Sequence, residues 1–259
     1  MAENETKKGL NKNSNIYIIV YTIVIVAIVA LLLSITSGAL KERQDKNIEL
    51  DKKKQILSSL PAINLVGADA EQLYNETIKD YVLLDENGNT VTTGVDFNYK
   101  VADNELPMYI AEIDGKTKYI IPLNGAGLWG AIWGYIAFNE DKNTVYGVYF
   151  SHAGETPGLG AKIADKEFQQ QFEGKQVMKA GTFASIAVMK EGQEAEGMDK
   201  VDAISGGTIT SKGVETMLKD CLGKYSAFFG SNIQEDSSEH IDAETTVDEE
   251  EINNEEETL

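Results

Sequence analysis

Residues 16–40, IYIIVYTIVIVAIVALLLSITSGAL, carry no charged side chain. At ~1.5 Å per residue such a run makes a helix of roughly 37 Å, enough to cross a ~30 Å hydrocarbon layer with some tilt. Its β-branched residues weaken a helix in water, but lipid forces the backbone to hydrogen-bond internally. Ser37-Gly38-Ala39 offers small residues at which a leader could be cut. A signal peptide, however, has an apolar region of only about 7–15 residues. We therefore read 16–40 as a retained transmembrane helix, with a short N-terminal tail at 1–15. Lys7, Lys8 and Lys12 precede the span, and Lys41, Arg43, Lys46 and Lys52 to Lys54 follow it. Counted literally, the positive-inside rule disfavours a cytoplasmic N-terminus. That rule weakens when a long folded segment follows, so charge alone leaves the orientation open.

The remaining composition narrows the chemistry. With 23 basic and 42 acidic residues the formal charge is −19, which does not suit grasping nucleic acid by charge. Cys221 is the only cysteine, so no intrachain disulfide, cysteine-based zinc site or Cys-ligated cluster can form. His152 and His240 are the only imidazoles. We expect no metal site. Twelve of the acids lie between Glu235 and Leu259, and no Lys or Arg follows Lys224. Without those twelve the balance is 30 acids against 23 bases, or −7. Residues 232–259 read as a disordered acidic tail, either merely solvating or touching a basic partner.

Between these ends the pattern predicts an α+β fold: a mainly antiparallel sheet domain with packed helices over residues 69–231. Residues 41–68 read as a juxtamembrane helix, ending at Leu60-Pro61, and a connection. A short helix is expected at about 69–79. Tyr81 to Leu84 then meets a strand across Asn87-Gly88, and Met108 to Ile113 meets Lys118 to Leu123 across Asp114-Gly115. A third hairpin joins residues 129–138 to 144–150. A helix at about 166–172 and strands near 176–179 and 183–189 follow. The last helix is the most legible. From Val214, apolar residues recur at Met217, Leu218, Cys221, Leu222, Tyr225 and Phe228, one helical face. Cys221 on that face reads as a small buried hydrophobe. Thr210 or Ser211 is the expected N-cap.

The segment before that helix, Asp202-Ala203-Ile204-Ser205-Gly206-Gly207-Thr208-Ile209-Thr210-Ser211, concentrates glycines and hydroxyls at a helix N-terminus. Free N–H groups and the positive dipole end favour an anion there, so a phosphate fits. The order Gly-Lys-Ser/Thr is missing, which excludes a Walker A loop. From these residues alone, a capped Gly-rich loop and a phosphate site both remain open.

Asp202, Ser205, Gly206, Gly207 and Thr208 also resemble the flavinylation motif Asp-x-x-Ser/Thr-Gly-Ala-Ser/Thr, with Gly207 where alanine is usual. Gly125-Ala126-Gly127-Leu128-Trp129-Gly130 and Gly154-Glu155-Thr156-Pro157-Gly158-Leu159-Gly160 precede it in the same order as in one family. This is the FMN-binding domain family shared by the sodium-translocating NADH:quinone oxidoreductase and the Rnf-type ferredoxin:NAD oxidoreductase. Over residues 16–230 the chain is most similar to the C subunit of the former. The Rnf G subunit is the nearest alternative, and a cofactor-free anchored binding module is the alternative from another class.

The resemblance implies FMN joined by a phosphoester to Thr208. Ser205, Gly206, Gly207, Leu128, Trp129, Glu155, Thr156, Gly158 and Leu159 would surround it. Leu128 and Trp129 would flank the ring, and Thr156, Gly158 and Leu159 would bond it or its ribityl chain. Glu155 would set the loop, and Lys212 would help neutralise phosphate or simply be solvated. Trp133 and His152 read as a sheet-packing aromatic and a loop histidine. The resemblance also implies an electron carrier with no acid, base or nucleophile of its own. It would sit in a six-subunit complex of the bacterial inner membrane that oxidises NADH, reduces ubiquinone or menaquinone and exports sodium. A flavin transferase would load the cofactor, and the flavin domain would face the periplasm.

Overall fold

The computed structural model describes residues 14–230. The acidic tail and residues 1–13 lie outside the described residues.

The apolar span and the polar stretch after it form one helix, α1 (Asn15–Ser58), 44 residues long. The expected separate juxtamembrane helix is its continuation. Residues 38–58 contain no proline, and Gly38 alone costs only about 1 kcal/mol. Pro61 stops the helix, because it restricts Leu60 to extended geometry. The apolar residues of 16–40 are exposed, whereas Ile56, Leu57 and Leu60 are fully buried. Helix α1 is long and apolar enough to cross a membrane.

Asp69 caps α2 (Ala70–Thr77) by accepting from Glu71 N at 2.9 Å and Gln72 N at 3.2 Å. The chain then enters β1 (Ile78–Leu84), β2 (Thr90–Thr92), β3 (Leu106–Ile113), β4 (Lys116–Ala126), β5 (Ala131–Phe138) and β6 (Val145–His152). These pair antiparallel in the order β2-β1-β3-β4-β5-β6. The β3–β4 hairpin turns on Asp114 (φ 50°) and Gly115 (φ 73°), the positive φ pair that Asp-Gly signals. Trp129, expected within a strand, lies just before β5 in a turn closed by Gly127 N on Gly130 O at 2.8 Å.

A 3-10 turn (Gly160–Ala164) and α3 (Lys166–Gln170) lead to the short pair β7 (Met178–Lys179) and β8 (Thr182–Phe183). Strand β9 (Ile186–Met189) pairs parallel with β10 (Asp199–Asp202), a strand the sequence pattern does not announce. In β10 only Val201 is apolar, and it is buried. The mainly antiparallel expectation holds, and β9–β10 is the one parallel pair among the described residues.

Helix α4 (Thr208–Gly223) packs Val214, Met217, Leu218 and Leu222 onto one sheet face. Tyr225 and Phe228 complete that face but lie beyond the helix end. The other face is covered by the end of α1 and by α2: Ile56, Leu57, Leu60 and Tyr74 meet Tyr81, Tyr109 and Ile120. The sheet is thus sandwiched between two helical layers. Trp133 packs on the α1 side, half-buried, and its Nε1 donates to Gln55 Oε1 at 3.0 Å. Lys53 is buried between Glu49 (2.8 Å) and Glu71 (3.4 Å), so it is not a free flanking charge.

Candidate cofactor site

Helix α4 begins where β10 ends, after a loop that only glycine can follow. Gly206 has φ 75°, and a Cβ there would stand 2.7 Å from Leu159 Cδ2. Gly207 is the N-cap and supplies no side-chain bond. Thr208 is therefore the first helical residue, exposed, with no hydrogen bond to its hydroxyl among the described residues. The N–H groups of Thr208, Ile209 and Thr210 have no intrahelical acceptor, the first such bond being Ser211 N to Gly207 O at 2.8 Å, and the dipole end is positive.

The expected caps are not caps. Thr210 and Ser211 are buried inside the first turn. Ser211 Oγ accepts from Ile204 N at 3.0 Å, and Thr210 Oγ1 donates to Glu155 Oε2 at 2.5 Å. Both hydroxyls are spent fastening the helix start to neighbouring loops.

Glu155 is only 4% exposed. Its Oε1 accepts from Trp129 N at 2.8 Å, and the Leu128 N–H also points to the carboxylate. Burial pushes this carboxyl up, but the bonds from Thr210 and the Trp129 amide outweigh it and leave the pKa below its ordinary value. A Cβ on Gly127 would lie 2.5 Å from Glu155 Oε1, and one on Gly160 would collide with Thr210 Oγ1. The two glycine-bearing loops and the helix start thus close around one carboxylate. Glu155 N donates to His152 Nδ1 at 3.1 Å, which makes His152 part of the loop's scaffold.

Around Thr208 the surface is unusually apolar. Leu128 is 48% exposed, Trp129 69%, Leu159 43% and Ile209 60%. Sequence reasoning missed Ile209 as a member of this rim. Its signal was available: five residues before Val214, it points about 140° away from the buried stripe. Thr210's role had no local signal, because its partner is 55 residues away. Thr208, Ile209 and Lys212 border an open groove of about 610 Å³ against Gly125 and Ala126.

Of the remaining predicted residues, Ser205, Thr156 and Gly158 do not line this groove. Ser205 is exposed, with no hydrogen bond to its hydroxyl among the described residues. Thr156 is exposed, and its carbonyl accepts from Leu159 N and Ala161 N. Gly158 takes φ 77° in the turn between them. Lys212 is ion-paired with Glu215, whose other oxygen accepts from Val188 N at 2.9 Å. Cys221 is half-buried rather than buried. Its thiol donates to Asn124 O at 3.3 Å, and burial raises its pKa.

Residues 127–223 match the FMN-binding domain family, a span that begins at Gly127 and ends with α4. The C subunit of the Na(+)-translocating NADH-quinone reductase of Neisseria meningitidis serogroup B is 31% identical over 243 residues, covering 82% of this chain and 90% of the relative. The chain belongs to the family of C subunits of Na(+)-translocating NADH-quinone reductases. The Haemophilus ducreyi C subunit is 27% identical, covering 82% of this chain and 91% of the relative. The crystal structure of the C subunit from Parabacteroides distasonis is 47% identical, with a TM-score of 0.70, covering 74% of this chain and 98% of that one. These relatives are all C subunits of the sodium-translocating enzyme, as the sequence resemblance implied, and not of the Rnf-type alternative.

Proposed function

We propose that this chain is the FMN-bearing electron-transfer subunit of a Na(+)-translocating NADH-quinone reductase, with FMN joined through its phosphate to Thr208 Oγ1. The observation that carries the reading is the free, exposed Thr208 hydroxyl at the open N-terminus of α4. A phosphate there gains from unpaired amides and the helix dipole. The ring would lie against Leu128, Trp129 and Leu159, with Ile209 added to that wall. Ser205, Gly206 and Gly207 shape the phosphate turn, and Thr156, Gly158 and Leu159 border the ribityl chain. Bound here, FMN would supply electron transfer in single steps. The chain's own task is then to hold, orient and shield, without an acid, base or nucleophile of its own.

The wider assignment rests on the family. It comprises a six-subunit complex in the inner membrane, ubiquinone or menaquinone as acceptor, and sodium export. It also places the flavin domain on the periplasmic side and makes a flavin transferase the loading enzyme. A covalent tether suits that side of the membrane, where a dissociated cofactor would be lost.

Intact mass and in-gel fluorescence of the denatured full-length protein, co-expressed with a flavin transferase, test the core of this. We expect a fluorescent band heavier by FMN less one water, absent in Thr208→Ala. An unmodified mass, in cells that flavinylate another target, would overturn the reading in favour of a cofactor-free binding module.

A further inference from the structure

Glu155 is a buried carboxylate whose two oxygens are both occupied by this chain's own donors: Trp129 N, the Leu128 amide and Thr210 Oγ1. Among the described residues no Lys or Arg forms an ion pair with it. Three sequence-distant segments meet on it. One carries Leu128 and Trp129, one carries Thr156 to Gly160, and the third is the first turn of α4. The glycines at 127 and 160 leave room for its oxygens and for Thr210, since a Cβ at either position would intrude. A side chain so enclosed is poorly placed to contact a ligand itself.

We infer that Glu155 is a positioning residue for the flavin site: it brackets the Leu128–Trp129 wall to the helix start that presents Thr208, and its charge biases the cofactor against accepting electrons. The inference rests on the proposed flavin at Thr208. Two physical effects are separable. The bracket is geometric, and placement errors of about 1 Å cost on the order of a hundredfold in reactions that depend on alignment. The charge is electrostatic. It is met by hydrogen bonds, the α4 dipole and the adjacent His152 rather than by an ion pair with Lys or Arg, so it disfavours added negative charge nearby. Glutamine can keep the shape of the bracket while removing the charge, and alanine removes both.

The test compares full-length wild type, Glu155→Gln, Glu155→Ala and Thr210→Val, co-expressed with a flavin transferase. Flavin per chain and midpoint potential are read, with circular dichroism confirming the fold. Glu155→Gln should keep flavin content within about twofold of wild type and move the potential to a more positive value. Glu155→Ala should fold yet lose flavin by about tenfold or more, with Thr210→Val between them, as expected when alignment is loosened. A cofactor-independent readout is acrylamide quenching of Trp129 in a Trp133→Phe background, which should rise in Glu155→Ala. A folded Glu155→Ala with wild-type flavin content and unchanged Trp129 quenching would overturn the bracket. An unchanged potential in Glu155→Gln would overturn the charge effect. If Glu155→Ala does not fold, Thr210→Val decides the bracket, and wild-type flavin content and Trp129 quenching in that variant overturn it. Absence of flavin from wild type itself would instead sink the Thr208 reading, leaving the bracket to be judged by Trp129 quenching alone.

Discussion

Ser185 sits between β8 and β9 with φ 61°, and its buried Oγ has no hydrogen-bond partner among the described residues. Both features cost free energy, the backbone by about 1–3 kcal/mol and the orphan hydroxyl by a similar amount. Ser185→Gly relieves both at once. It should stabilise the protein by roughly 1 kcal/mol in urea denaturation, after glycine's greater unfolded-state entropy is subtracted. Asp199 makes a different prediction. Burial raises its carboxyl, but Lys179 at 2.9 Å and Gln176 N at 2.7 Å outweigh that and lower its pKa. A depressed pKa stabilises above the ordinary value of 3.8, and the contribution is lost as pH falls through the folded value. Asp199→Asn should therefore weaken the protein near neutrality and flatten the acid side of its stability profile, as pH-dependent melts would show. Single residues were also where the sequence misled. Thr210 and Ser211 have cap chemistry, but their hydroxyls found partners that only the folded chain brings near.

Helix α4 shows how an element can override its own propensity. Gly213 lies mid-helix, where alanine is worth about 1 kcal/mol more. A Cβ at Gly213, however, would run into the Ala126 carbonyl oxygen at the end of β4. Gly125 opposite is similarly tight, since its Cβ would stand 2.7 Å from Met217 Cβ. Backbone cannot yield as a flexible side chain does. Gly213→Ala should thus destabilise by about 1–3 kcal/mol despite the better helix former, measurable as a lower Tm. The buried stripe of α4 was legible because its period is 3.6 and its neighbours are uniformly apolar. Hairpins β1–β2 and β3–β4 were legible because Asn-Gly and Asp-Gly are turn signals, and positive φ is taken by Gly88 in the first and by Asp114 and Gly115 in the second. Strand β10 was not, because a short strand held by a parallel neighbour needs only one buried side chain, Val201.

Across the whole molecule, α1 joins the apolar segment to the sheet without a break. At its end, Pro61 packs beside Gly147, near the start of β6. Earlier, Gln55 bonds Trp133, and earlier still Asn47 and Ile48 face Asn124 across a cleft. Moving toward the apolar span therefore moves toward the Thr208 end of the sheet, which puts that end on the side of the apolar segment. Residues 41–58 add about 27 Å of helix beyond the span. In nanodiscs containing paramagnetic lipid, a nitroxide at Lys212→Cys should relax faster than one at Lys142→Cys on the opposite hairpin, in a Cys221→Ala background. Equal relaxation would mean that α1 does not hold the domain in this attitude. The sequence by itself determined the span, the α+β class, the main hairpins and the ordered glycine blocks. These are local properties, set by hydropathy period, turn geometry and residue size. Tertiary structure alone decided that the end of α1 packs on the sheet, that Glu155 bonds both the Leu128–Trp129 turn and Thr210, and that Ser211 bonds Ile204 instead of capping α4. Each depends on which surfaces meet when helices pack on a sheet, and no periodicity along the chain encodes that.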